Sequence, residues 1–303
     1  MDEKQIQARQ EMSRRVREAI DKKMGLETSD LWNNVKLSMA NITRRAAQSA
    51  EPAQAFDFDL HDLWYILMQS AKVTPADSPV QAWLVTQVLY ARELGALQRP
   101  AAVEGEGGSR AVVRTAEGVI WTDLPFLVAD VTEAWRGSEK LPLVERQNLG
   151  AFIARLVAVG VCDPLLGPCA LWSLHGALEA PVDTESEPEL ETKVDGVNGV
   201  VEEKGENGES RKNGENGNHT SPAEAVMVAL VWLRYCGHKL LIWSMQNLQV
   251  SEEQGEGFSL ARWARWKLLL DSMRDSEDIT LANCALRGHN LMEQVEMDFG
   301  IPT

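Results

Sequence analysis

Cys162, Cys169 and His175 are the first residues in this chain that could do chemistry, since thiolates and an imidazole are the usual ligands of zinc. Structural zinc sites pair ligands two to four residues apart. Here the two cysteines stand seven positions apart and no fourth ligand follows, so core thiols are expected instead. A second cluster is Arg234 and His238, one helical turn apart with Lys239 beside them, on a segment that is otherwise apolar. Such cations either project into an internal polar pocket that holds an anionic ligand or form the solvent edge of the helix and pair with carboxylates. Arg234 and His238 are therefore the candidate ligand-binding residues. A third pattern, Arg262-Trp263-Ala264-Arg265-Trp266-Lys267, interleaves cations with aromatics as nucleic-acid binders do. Trp263 and Trp266 are three apart and share a helix face that Leu269 and Leu270 extend, so a core face flanked by arginine stems is expected. An interaction surface at Trp263 and Trp266 is the alternative. The glycines of GEGGS (105–109) lack a following Lys-Ser/Thr and do not make a phosphate cradle. No G-x-S-x-G, H-E-x-x-H or paired-Asp motif occurs, so no catalytic residue, metal site or cofactor is assigned.

The frame that must position these groups is legible from composition. The chain has 303 residues, 44% of them hydrophobic and 25% charged, enough for a sizeable core. Its ten tryptophans outnumber six Phe and three Tyr, and none lies between Pro181 and Ser221. Each is a large anchor whose indole N–H needs a partner, so together they mark the folded body. The net charge of −15 gives no attraction to phosphate backbones or anionic membranes, so a protein partner is expected over nucleic acid. Four cysteines in a chain of this length fit reduced thiols. The opening MDEKQIQARQ has no apolar leader, which predicts a cytoplasmic protein with the nucleus left open. The stretch 223–245 is broken by Arg234, His238 and Lys239 and reads as a buried core helix rather than a membrane span.

Apolar spacing is helical nearly throughout. Residues 1–50 predict two amphipathic helices, about 3–24 and 29–49, that either pack on the body or form an arm. Residues 51–180 predict the first part of a helical domain. Asp59 is expected to cap one helix, Ser78-Pro79-Val80-Gln81 to open the next, and Asp123 to cap a third. Further helices are expected after Pro142 and across 168–180. The stretch 110–121 holds the one expected β segment, a hairpin around Ala116-Glu117-Gly118. Residues 181–220 change character. Between 183 and 215 there are eleven Asp/Glu against four Lys/Arg, a local net of −7, with the near-repeat GENGES and GENGNH. So little apolar surface cannot offset the entropy of ordering, so a disordered acidic insert is expected. Ser221-Pro222-Ala223-Glu224 is a capping box that reopens the helical domain over 221–303, and Ser259 opens a later helix. The expected fold is all-α, a bundle-like single domain of nine or ten helices interrupted by that insert.

Several stretches taken together resemble a known family. They are 62–89, IWTDLPFLVADVTEAW (120–135), 148–180, VALVWLRYCGHKL (228–240) and FSLARWARWKLLLDSM (258–273). Trp121 with Asp123-Leu124-Pro125, Trp135, the stretch from Phe152 to Leu156, and Arg262-Trp263 with Trp266 carry most of the likeness. Their order and spacing are similar to the fungal proteins catalogued as domain of unknown function 3632. The resemblance covers most of 55–297 outside the acidic insert. It implies a helical, intracellular-type fungal protein with a variable polar insert, and it transfers no activity. Two functions stay open. One is a non-enzymatic interaction or regulatory protein working through an apolar groove or the first helix. The other is a small-molecule-binding protein or enzyme with Arg234 and His238 lining an internal pocket.

Overall fold

The computed structural model describes residues 2–23, 28–48, 51–100, 110–179, 220–251 and 256–301. Ten α-helices occur among them, with three two-stranded hairpins. The helices are α1 (Glu3–Lys23), α2 (Thr28–Gln48), α3 (Ala55–Val73), α4 (Pro79–Leu94) and α5 (Leu127–Arg136). After a short 3-10 turn, Gly137–Lys140, come α6 (Leu143–Ala158), α7 (Gly167–Leu178), α8 (Pro222–Met245), α9 (Leu260–Met273) and α10 (Ile279–Asp298). The expected disordered insert at 181–220 lies, but for Thr220, outside the described residues, as does the GEGGS loop.

The fold is all-α, and one contiguous hydrophobic cluster runs from Ile20 on α1 to Val295 on α10. Segments before and after the insert therefore share a single core. Within it α3 packs on α6, α6 on α8 and α8 on α10, while α2 covers α3, and α7 and α9 flank α8. α8 packs against α6, α7, α9 and α10, which is why it is mostly apolar. It is long and apolar enough to cross a membrane, and 56% of its most apolar window is buried inside the fold. Seven tryptophans (64, 121, 135, 232, 243, 263 and 266) are buried, and Trp32, Trp83 and Trp172 pack against the core from its edge.

The first two helices dock on the body. α2 buries Leu31, Val35, Met39, Ile42 and Ala46, and its Thr43 hydroxyl accepts the Trp121 indole N–H at 3.0 Å. α1 docks differently from its apolar pattern. Ile20 is buried, but Met12 and Val16 stay exposed, and the seam on α3 is polar. Arg17 Nε donates to Asp62 at 2.9 Å, and Tyr65 and Gln69 donate to Asp21.

Helix starts follow the sequence signals where a hydroxyl caps. Ser78 accepts from Val80 N–H with Pro79 in the first turn, and Ser259 accepts from Arg262 N–H. Ser221 and Glu224 form both halves of the capping box. Two expected carboxylate caps are corrected. α3 begins at Ala55, four residues before Asp59, because the turn at Pro52–Ala53 already takes the N–H groups of Ala55 and Phe56. Asp59 instead pairs with Arg45 at 2.8 Å. Asp123 closes the turn after the 114–119 hairpin by accepting Val119 N–H at 2.7 Å, and α5 starts later, after Phe126. Gln81 is no capping partner either. It is buried, and its amide donates to the carbonyls of Ala71, Thr74 and Asn148.

The expected hairpin is present as β3 (Arg114–Thr115) and β4 (Gly118–Val119), preceded by β1 (Gln98–Pro100) and β2 (Arg110–Val112). It is not alone, since β5 (Gln249–Ser251) pairs with β6 (Glu256–Gly257) between α8 and α9. These strands are two or three residues long, too short to carry an alternating pattern.

Candidate functional site

The Arg/Trp/Lys pattern on α9 is a double clamp on two carboxylates. Arg262 and Trp266, one turn apart, hold Glu179 at the end of α7. The guanidinium donates in a fork at 2.7 and 2.9 Å, and the indole N–H donates at 2.5 Å. Trp263 and Lys267, the next pair one turn apart, hold Glu296 on α10 at 2.8 and 2.6 Å. Burial alone would raise the Glu179 carboxyl, but the hydrogen bonds from Arg262 and Trp266 and the Arg262 charge outweigh it and leave the group below its ordinary range. Trp263 and Trp266 are 2% and 0% exposed, so both rings lie in the core. The aromatic face turns inward because both indole N–H groups find buried carboxylates. Glu296 had a signal of its own, since it follows Cys284, Gly288 and Met292 at intervals of four on the buried face of α10.

A groove of about 780 Å³ lies between α8 and α10, with Gln147 of α6 and the loop at Ala76-Asp77 also in its lining. Met227, Leu230 and Val231 from α8 and Cys284 and Leu291 from α10 make an apolar floor. Arg234, Arg287, Asn290 and Gln294 make the rim. The two helices meet closely at Gly288, where a Cβ would stand 2.9 Å from a Leu230 methyl. Arg234 is exposed, and its guanidinium lies 5.2 Å from the Tyr235 ring, whose other cation neighbour, Arg155, is at 3.6 Å. Arg155 also donates to the Ala76 carbonyl at 2.7 Å, which ties α6 to the loop that lines the groove. Neither Arg234 nor Arg287 has a carboxylate within ion-pair distance among the described residues. His238 is not in the groove lining. Its Nε2 meets Asp298 at 2.8 Å and its ring lies beside Phe299. The structure thus parts the two candidate residues, placing Arg234 on an open groove and His238 at the exposed end of α10.

A smaller cavity of about 240 Å³ between α1, α3 and α5 holds groups that the sequence did not single out. His61 Nδ1 meets both Asp130 oxygens at 2.9 and 2.8 Å, which fixes the ring and leaves Nε2 for another partner. The Asp130 hydrogen bond raises His61 above the usual imidazole value, against the effect of burial. Lys72 lines the same cavity and is pulled below its usual value by burial. The pair is 69 residues apart in sequence, so no local motif announces it. It depends on a constrained turn: Leu124 and Phe126 both have positive φ (49° and 68°), Pro125 between them accepts the Trp64 indole N–H at 2.8 Å, and Phe126 lies against His61 at 4.3 Å.

The four cysteines are free, and Cys169, Cys236 and Cys284 are buried. Burial pushes the Cys169 thiol up to about 12, the opposite of an activated nucleophile. Among the described residues no three of His, Cys, Asp and Glu converge as metal ligands.

Fold and core define a single-core, all-α protein. Within that class the chain belongs to the family described as "Protein of unknown function (DUF3632)", whose model matches residues 64–269. It is similar to "Oxopyrrolidines biosynthesis cluster protein G" of Penicillium oxalicum (strain 114-2 / CGMCC 5302), at 27% identity over 204 residues. These residues are 67% of this chain and 51% of the relative, so the chain spans about half the length of that curated relative. No solved structure matches.

Proposed function

We propose that the chain is a non-enzymatic binding protein whose working surface is the α8–α10 groove, and that its partner is an amphipathic helix with acidic flanks. The observation that carries this reading is the pairing of an apolar floor with two cations, Arg234 and Arg287, that lack ion-pair partners among the described residues of a chain with net charge −15. These two exposed cations flank apolar side chains of the groove. Lining residues Met227, Leu230, Arg234 and Cys284, Arg287, Leu291 recur at helical spacing on the two walls, which suits a helix laid along the groove with apolar anchors every third or fourth residue. A second reading is favoured by two observations. The groove volume of about 780 Å³ falls in the range of small-molecule sites, and the relative's name ties that protein to oxopyrrolidine biosynthesis. On it, the groove holds a metabolite of that type with an acceptor group on Arg234 and Arg287.

A labelled model peptide with Leu at helical spacing and Glu on its flanks separates the two. Saturable binding is expected, weakened about tenfold or more by Arg234→Glu with Arg287→Glu and recovered by a peptide with Lys flanks. A metabolite site predicts instead that the peptide does not bind and that a five-membered lactam acid does.

A further inference from the structure

A second concave site, independent of the groove, is built where α5 passes into α6. A cavity of about 210 Å³ is lined by Trp135, Arg136, Glu139, Arg146, Trp172 and Ser173. A neighbouring cavity of about 340 Å³ shares Glu139 and Arg146 with it. Arg146 stands between the two. Its Nε is buried with no hydrogen-bond partner, and the guanidinium makes no ion pair with any described residue. Burial also holds Arg146 below the ordinary guanidinium value, with only the more distant charges of Glu139 and Glu224 in its favour. A buried guanidinium N–H with no acceptor is disfavoured unless something else accepts from it.

The surroundings say what that acceptor would be. Arg136 is held at the mouth by stacking on Trp172, 4.6 Å from its ring centre. Trp135 forms a fixed wall. It packs edge-on to Trp232 at 5.5 Å and rests on Gly150, where a Cβ would stand 3.1 Å from the ring. Against Glu139, the two arginines leave one net positive charge, which suits a monoanion over a dianion. A planar guanidinium matches the two oxygens of a carboxylate, and aromatic walls take an apolar body. A cavity of 210 Å³ admits only a small one. We infer that this cleft binds a small organic monocarboxylate, with its carboxylate on the Arg146 fork and its apolar body between Trp135 and Trp172.

Benzoate is a suitable probe for the full chain at low ionic strength, followed by indole N–H chemical shifts and tryptophan fluorescence. Acetate, benzamide and inorganic phosphate are the comparators. Expected results are saturable binding of benzoate, weaker binding of acetate, none of benzamide, and a loss of at least tenfold in Arg146→Gln. Glu139→Gln should tighten binding several-fold, because it removes the competing carboxylate. Trp172→Leu should erase the preference for benzoate over acetate, and it serves should Arg146→Gln not fold. Arg146→Met should keep or raise the melting temperature, since it removes an unpaired buried cation. A lowered melting temperature there would make Arg146 structural and overturn the assignment. Unmoved indole signals, undiminished binding in Arg146→Gln, or phosphate binding as well as benzoate would overturn it too.

Discussion

Glu179 and Glu296 give the clearest tests at the level of single residues, because each accepts from one indole and one cation of α9. Replacing Glu179 by Gln keeps an acceptor for Trp266 but removes the charge from Arg262, and should destabilise the fold by about 2 kcal/mol in chemical unfolding. The folded-state carboxyl of Glu179 is depressed, so its contribution is complete above the unfolded value of about 4.3 and is lost as pH falls through the folded value. Stability of Glu179→Gln should accordingly fall less steeply on acidification than that of the parent. His61 has the opposite sign. Its folded value is raised, chiefly by the Asp130 hydrogen bond, with Asp57 adding and burial and Arg17 opposing. The contribution of the pair is complete below about pH 6.5 and disappears as pH rises through the raised value. In Asp130→Asn the His61 ring should titrate at or below 6.5 by NMR, since burial remains and the raising partner is gone. An unchanged titration would show that Asp130 is not the cause.

At the level of elements, the sequence was legible where one local force dominates. Serine hydroxyl caps at Ser78, Ser221 and Ser259 gave helix starts within a residue, because a short side chain can reach its own backbone with no help from elsewhere. Asp59 and Asp123 misled because a carboxylate also serves distant cations and turns, and those uses prevailed. The Trp/Arg pattern was legible as a buried face, but its partners Glu179 and Glu296 come from α7 and α10, which only the fold brings together. Likewise Arg234 lies on the open groove, while His238, four residues on, meets an Asp298 that no local pattern supplies. Two predictions belong here. α1 is held by charges at its seam with α3, so raising salt to about 1 M, where screening length shrinks to about 3 Å, should speed hydrogen exchange in α1 and leave α3 unchanged. Equal protection at both salts would mean that Ile20 and its neighbours suffice. Gly118 has φ of 137° and its missing Cβ would stand 2.7 Å from the Asp123 side chain, so Gly118→Ala should cost about 2 kcal/mol or more by both strain and displacement. A neutral result in thermal unfolding would contradict this account of the turn.

For the whole molecule, one core spans both sides of the insert, and α8 packs within it against α6, α7, α9 and α10. The strip Met227, Leu230, Arg234 faces α10 across the groove and leaves its rim cations without ion pairs among the described residues. That strip stays open in a protein that buries seven tryptophans, and the proposed partner surface rests on it. Hydrogen exchange of the chain with and without the acidic Leu/Glu helical peptide tests that claim most directly. The account predicts slowed exchange in segments of α8 around 227–235 and of α10 around 284–294, absent in Arg234→Glu with Arg287→Glu. Protection confined to other elements, or none at saturating peptide, would contradict it.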